Sequence, residues 1–308
     1  MKTAALVALG VMVLAATPAL AKPKVVVSLG KWKGDTFLTI LHDSMLDAAA
    51  QHPDLDIVVE DADNNSQTQN DQVRQAISDK AAAIVVMNVD VDSAKFAADA
   101  TAKAGVPLVF VNRLPPMDRF DGKVAIVACN DLVAGRLQMR LIGNQIKDSG
   151  NVVILRGEDG HPAARDRTAG VKEIIAAKPG LHLVKEATGN WSRDQGEKLV
   201  TQWLADGVHI DAIAANNDEM ALGAIDALKK AGYKPGQIAV GGVDGTAFAL
   251  DAIKSGYLTM SVLQNAKAQA EQALNDAAKF ANKDYAQLYD WVPYEVIIPA
   301  NADKYAAK

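Results

Sequence analysis

Short apolar runs alternating with longer amphipathic stretches, from Lys24 to Asn282, predict an α/β protein of two lobes, each a doubly wound parallel sheet with helices on both faces. Three observations carry this. The runs are apolar without strict alternation, as in KVVVSL (24–29) and AIVVM (83–87), which is the pattern of strands covered on both faces. The stretches between them place apolar residues at helical spacing, as in Phe37, Ile40, Leu41, Met45 and Leu46. There are also more strands than one open sheet of this kind holds, in a chain of 308 residues that is long enough for two domains.

Taken in order, Lys24–Leu29 reads as a strand, Asp35–Gln51 as a helix, Leu55–Val59 as a strand, Gln67–Lys80 as a helix, Ala83–Met87 as a strand and Asp92–Ala104 as a helix. Leu108–Val111 and Val124–Val127 are strands. The rhythm continues with helix 131–147, strand 152–155, helix 162–178, strand 181–185, helix 192–206, strand 211–214, helix 217–231, strand 238–243, helix 246–255, strand 259–263 and helix 265–282. Turn residues agree: Gly105-Val106-Pro107 enters one strand, Lys178-Pro179-Gly180 enters another, and Gly232 follows the helix that ends near Lys229-Lys230. No Ser/Gly linker divides the chain, so the boundary near 128–131 is read as a change of sheet.

Residues 1–21 (MKTAALVALGVMVLAATPALA) form a secretory signal: Lys2 starts it, an apolar stretch follows, and Ala19-Leu20-Ala21 is a small-x-small cleavage site. The apolar run from Ala4 to Ala16 is shorter than the roughly 20 residues a spanning helix needs, and no later segment has 18 consecutive apolar residues. The sequence therefore points to an exported, soluble protein, most simply in a bacterial periplasm. Its one cysteine, Cys129, rules out an intrachain disulfide and a cysteine-based metal centre, and it is far from the cleavage point, so no lipid anchor is expected there. A net charge of −5 argues against a nucleic-acid or anionic-membrane partner.

Ligands of open α/β sheets bind beyond the carboxyl ends of the strands. Those positions hold Asp35 and Phe37, Asn88, Asn112 and Arg113, Arg167, Trp191, Asn217, Asp244 and Gln264. Carboxylates, arginines and amides in near balance suit a neutral polyhydroxyl ligand, whose hydroxyls can each donate and accept. Phe37, Trp191 and Trp32 are the aromatic residues available to cover the C–H faces of a ring. Asp35 and Asn217 also stand where helix caps are expected. His161 precedes Pro162 at a helix start and reads equally as structural or functional. Arg165, two residues from Arg167, cannot share its helix face and is read as solvated.

Nothing supports catalysis. The chain lacks G-x-S-x-G, H-E-x-x-H and G-x-x-x-x-G-K-[ST]. The first strand-to-helix turn, Leu29-Gly30-Lys31-Trp32-Lys33-Gly34-Asp35, lacks the dinucleotide fingerprint. The run from Asp61 to Asn65 is no calcium loop, because Ser66 and Gln72 stand where glycine and glutamate are required. No cofactor and no metal are expected.

The motifs Gly34-Asp35-Thr36-Phe37, Val111-Asn112-Arg113, Gly157–Arg167 (GEDGHPAARDR), Asn190-Trp191, Ala215–Gly223 (ANNDEMALG), Gly242-Val243-Asp244-Gly245 and Val262-Leu263-Gln264-Asn265-Ala266 run in order along nearly the whole chain after residue 21. Together they resemble the periplasmic sugar-binding proteins of ABC importers, of the ribose/galactose type. The runs NWSRDQ, NNDEMALGAIDALK and GGVDGT are similar to the branch that binds myo-inositol. The resemblance implies the type I periplasmic binding protein architecture: two Rossmann-like lobes joined by three crossovers, with 22–129 plus 265–291 in the N-terminal lobe and 130–264 plus 292–308 in the C-terminal lobe. It implies ligand contacts at Asp35, Phe37, Asn112, Arg113, Arg167, Trp191, Asn217, Asp244 and Gln264, with Asn88 or its neighbour Met87 as the third-strand contact. The galactose/glucose binders carry an aspartate where Ala163 stands here, which favours a more compact polyol over a hexose. The expected function is a monomeric carrier that delivers a cyclitol or sugar to an inner-membrane ABC permease. The alternative ligand is an aldose such as ribose or galactose, and the carrier could also present its ligand to a chemoreceptor. A transcription regulator with the same core would need a DNA-binding headpiece where the signal stands.

Overall fold

The computed structural model describes residues 21–305; the expected signal, residues 1–21, lies outside them but for Ala21. Two six-stranded sheets are formed. The first contains β1 (Lys24–Leu29), β2 (Asp56–Asp61), β3 (Ala83–Met87), β4 (Leu108–Val111), β5 (Val124–Ala128) and β11 (Tyr289–Trp291), in the order β11-β5-β4-β3-β1-β2. The second contains β6 (Gly150–Arg156), β7 (Leu181–Thr188), β8 (Ala212–Ala215), β9 (Ala239–Asp244), β10 (Met260–Leu263) and β12 (Glu295–Ile297), in the order β12-β10-β9-β8-β6-β7. The two orders are the same once chain position is allowed for, so the lobes share one topology. Every pairing is parallel except β10 with β12.

The strands alternate their side chains between two cores, as the period of two requires. In β1, Val25, Val27 and Leu29 face α1 (Thr36–Ala49) and α9 (Ala266–Ala281), while Val26 faces the side of α2 (Ser66–Ser78) and α3 (Val91–Ala104). In the second sheet Val153 and Leu155 face α6 (Arg193–Ala205), α7 (Asp218–Lys230) and α8 (Ala247–Lys254). Val152 and Ile154 face α4 (Asp131–Gln145) and α5 (Pro162–Ala176). Covering both faces is why the strands read as unbroken apolar runs rather than alternating ones.

Each sheet reverses its strand order once, between β1 and β3 and between β6 and β8. Such switch points leave a crevice at the carboxyl edge. The chain passes between the sheets after β5, after β10 and after β11. The apolar periodicity predicts no strand beyond residue 282, and β11 and β12 are the difference. Each is a three-residue edge strand in which only Ile297 is fully buried, so neither carries an apolar run, and β12 departs from the expected parallel arrangement.

Candidate functional site

The carboxyl edges of the two sheets face one another across a cleft that encloses a cavity of about 100 Å³. Nine of the ten sequence-selected residues line it: Asp35, Phe37, Asn112, Arg113, Arg167, Trp191, Asn217, Asp244 and Gln264.

From the first lobe, Asp35 caps α1, its Oδ1 accepting the Leu38 amide at 2.9 Å. Capping and cavity lining are combined in one side chain, because the cap uses a single carboxylate oxygen. Asn112, in left-handed backbone (φ 67°), donates to Gln269 at 3.2 Å. Arg113 is held by its Nη1, which donates to the carbonyls of Asn88 and Val89, both at 3.0 Å. Its Nε is buried without a protein partner. Burial lowers its pKa, against the opposing pull of Asp35, Glu158 and Asp90.

From the second lobe, Arg167 is nearly fully buried and donates from Nε to Asp131 at 2.8 Å, from Nη1 to the Asn216 carbonyl at 2.7 Å and from Nη2 to Gln264 at 2.7 Å. Burial works against its charge, but Tyr294, Asp131 and Asp244 more than offset that and hold its pKa above the ordinary value. Asp244 ends β9 with φ 132° and lies 3.7 Å from Arg167. Burial pushes its pKa well above the usual carboxylate range; Asp218 and Asp35 add to this and Arg167 opposes it. Trp191 follows Asn190, both in left-handed backbone, and its ring covers Gly157 so closely that a Cβ there would lie 2.1 Å from the indole. Asn217 caps α7 through Oδ1 and donates from Nδ2 to the Trp191 carbonyl at 3.2 Å.

Two aromatic expectations resolve differently. Phe37 and Trp191 line the cavity. Trp32 does not: it stacks on His42 at 3.9 Å between ring centroids. The expected third-strand contact also needs correction, since neither Asn88 nor Met87 lines the cavity. The Asn88 side chain turns back to the Asp90 carbonyl at 3.2 Å, and its own carbonyl is taken by Arg113. The Met87 carbonyl is taken by the Gly30 amide and Gln69. Both residues support the site from behind. Arg165 pairs with Asp166 on the surface, as its place on the helix required.

The cavity also contains residues that sequence reasoning did not select: Lys31, Asn64, Asp131, Glu158 and His161. Asn64 and Asp131 follow β2 and β5, so the same strand-end rule, applied to every strand, would have found them. His161 caps α5, accepting the Ala163 amide on Nδ1 at 3.2 Å, and meets Trp191 edge-on at 5.1 Å. Burial, reinforced by Arg113 and Arg167, pushes its pKa down to about 3, so the ring is neutral. With Nδ1 accepting, the proton sits on Nε2. Among the described residues no cluster suited to a metal ion occurs and no helix is long and apolar enough to cross a membrane.

The arrangement can orient hydroxyl groups from both sides and cover apolar ring faces. Known proteins agree with this picture. A putative rhizopine-binding protein of Rhizobium meliloti is 38% identical over 277 residues, 89% of this chain and 90% of that one. An ABC transporter solute-binding protein from Bacillus halodurans, solved with bound myo-inositol, superposes with a TM-score of 0.86 at 37% identity, covering 94% of this chain and 99% of that one. The Caulobacter myo-inositol-binding protein, solved with myo-inositol, gives 0.84 at 26% identity, covering 94% and 98%. Residues 26–284 match the periplasmic binding protein domain, and the chain belongs to that family of binding proteins rather than to an enzyme family.

Proposed function

We propose that the protein is the solute-binding component of an ABC importer and that its ligand is a single neutral polyol ring, myo-inositol or a closely similar cyclitol, held by the nine sequence-selected residues that line the cleft. The cavity carries this reading. At roughly 10–15 Å³ per water, about 100 Å³ is room for about seven to ten waters, enough to accommodate one six-membered polyol. Lys31, Arg113 and Arg167 stand against Asp35, Asp131, Glu158 and Asp244, and the raised pKa of Asp244 brings the set closer to neutrality. A cyclitol presents hydroxyls around its whole edge, which suits polar groups arriving from both lobes. Charge-assisted hydrogen bonds of this kind contribute about 1.5–3 kcal/mol each.

Because both lobes supply contacts, the ligand favours the arrangement in which they are together, by its differential affinity for that state. A permease that reads this shape would accept loaded carrier. Residues 1–21 fit an export signal that delivers a monomeric carrier to the periplasm. Calorimetry with a panel of inositols, xylitol, pentoses and hexoses tests the reading. Binding led by an inositol supports it, binding led by an aldose moves the ligand to the sugars, and silence across the panel overturns it.

A further inference from the structure

Arg167 touches every place where the chain passes between the lobes. Asp131, which accepts from Nε at 2.8 Å, follows the first crossing. Gln264, which accepts from Nη2 at 2.7 Å, begins the second. Tyr294 lies in the third, between β11 and β12, and its hydroxyl accepts from Nη2 at 3.2 Å while donating to Asp131 at 2.6 Å. With the Asn216 carbonyl on Nη1 at 2.7 Å, four of the five guanidinium N–H groups are committed to protein. The fifth, on Nη1, is on the side of Asp244 and the cavity.

Tyr294 does not line the cavity. Its ring packs against the α1/α9 core of one lobe and also against the α4/α5 core of the other. Burial pushes its pKa well above the ordinary phenol value, so the hydroxyl remains a donor across the working pH range.

We propose that Tyr294 is a positioning residue: its hydroxyl locks Arg167 to Asp131 and thereby couples the angle between the lobes to the one Arg167 N–H that faces the ligand. Hinge motion changes the backbone angles of the three crossings. Asp131, Gln264 and Tyr294 then shift relative to one another, and a rigid planar guanidinium can keep all its bonds in only one such arrangement. The ligand-facing N–H is aimed in that arrangement and loses its aim outside it. This inference rests on the reading that the cleft binds a polyol at Arg167, but the hinge half of it can be measured without ligand.

The test uses the full chain carrying Tyr294→Phe, which keeps the ring and removes the hydroxyl. Spin labels on Lys33→Cys, exposed in the turn before α1, and on Asp194→Cys, exposed in the first turn of α6, report the distance between lobes. Cys129 is buried, with its thiol pushed up to about 12 by burial, and stays unlabelled. The expected result is a longer and broader distance distribution without ligand, and at least fivefold weaker binding of whichever panel polyol the unsubstituted chain binds best. Asp131→Asn approaches the same lock from its other side and serves if the phenylalanine variant does not fold. Combined, the two substitutions should weaken binding no more than the worse single one. A Tyr294→Phe chain with unchanged distances and affinity overturns the proposal, as do losses that multiply in the double variant. If the unsubstituted chain binds none of the panel, the polyol reading fails, while the ligand-free distances still decide the coupling.

Discussion

The Thr36 hydroxyl donates to the Glu219 carboxylate at 2.8 Å, joining the first turn of α1 to the first turn of α7 across the mouth of the cleft, on residues 183 apart in sequence. Neither residue lines the cavity. The bond exists only while the lobes are together, so it adds to the stability of that arrangement without touching the ligand. A bond of this kind contributes about 1 kcal/mol net, or roughly fivefold in an equilibrium. Glu219→Ala should therefore weaken polyol binding about fivefold, mostly through faster dissociation, with little change in melting temperature. Stopped-flow kinetics of association and dissociation check this.

Gly157 decides where Trp191 can sit. The indole lies over the glycine Cα, and a methyl group there would meet ring carbons at 2.1 Å, far inside contact distance. The ring cannot retreat freely, because its backbone is fixed in the left-handed region and its carbonyl is held by Asn217. Gly157→Ala should displace the indole from the cavity and lower affinity by more than tenfold. Trp191→Ala, which also removes the aromatic face, should give a loss of similar size, and the two together little more than either. Calorimetry on the three variants checks this.

The strand-end rule is what made the site legible. Asp35, Arg113, Arg167, Trp191 and Asp244 are far apart in sequence, yet each follows a strand, and strand ends converge in a doubly wound sheet. The rule gives position along a strand but not side-chain direction. Asn88 satisfies it and still does not line the cavity: its side-chain Nδ2 donates to the Asp90 carbonyl, and its backbone carbonyl accepts from Arg113. Trp32 satisfies it and stacks on His42 instead, its carbonyl held by the Asp35 amide and the Thr39 hydroxyl at the start of α1. The edge strands β11 and β12 were invisible for a different reason: three residues supply no periodicity, and their identity as strands comes from the neighbours that accept them. Tyr294 escaped notice because its importance depends on three crossings meeting at one arginine.

His161 makes acid stability a reporter of the cleft. Its folded pKa is pushed down to about 3 from an ordinary value of 6.5, chiefly by burial and then by Arg113 and Arg167. Between those values the unfolded chain binds the proton and the folded chain does not. The neutral ring's contribution is therefore complete above about pH 6.5 and declines as pH falls toward 3, by about 1.4 kcal/mol per unit. Asp244, raised in the fold, slopes the opposite way, so the comparison must be made between variants. His161→Asn keeps an N-cap acceptor for Ala163 and removes the titration. Its stability relative to the unsubstituted chain should rise steadily from pH 6.5 to pH 4, as thermal melts across that range would show.

Asp244 sets stability against binding at a single position. Its φ of 132° lies where a side chain is strained, at a cost of about 1–3 kcal/mol. The strain is enforced by the neighbouring turn. Asp218, fully buried at the start of α7, accepts the amides of Gly245 and Thr246 at 2.8 Å each and the Ser261 hydroxyl at 2.6 Å. Anchored this way, the turn holds the Asp244 carboxylate in the cavity near Arg167, where burial opposes its charge. Glycine adopts this backbone freely, at a cost of about 0.5–1 kcal/mol in the unfolded chain's extra entropy. Arg167 would still be neutralised by Asp131. Asp244→Gly should therefore raise the ligand-free melting temperature by a few degrees while abolishing detectable binding. Asp244→Ala should lose binding equally but gain less stability, because it keeps a Cβ in the strained backbone. Calorimetric melts of the two variants beside the unsubstituted chain separate the two contributions: equal gains would place the cost in the buried carboxylate alone, and a larger gain for glycine would place part of it in the backbone that aims the carboxylate at the ligand.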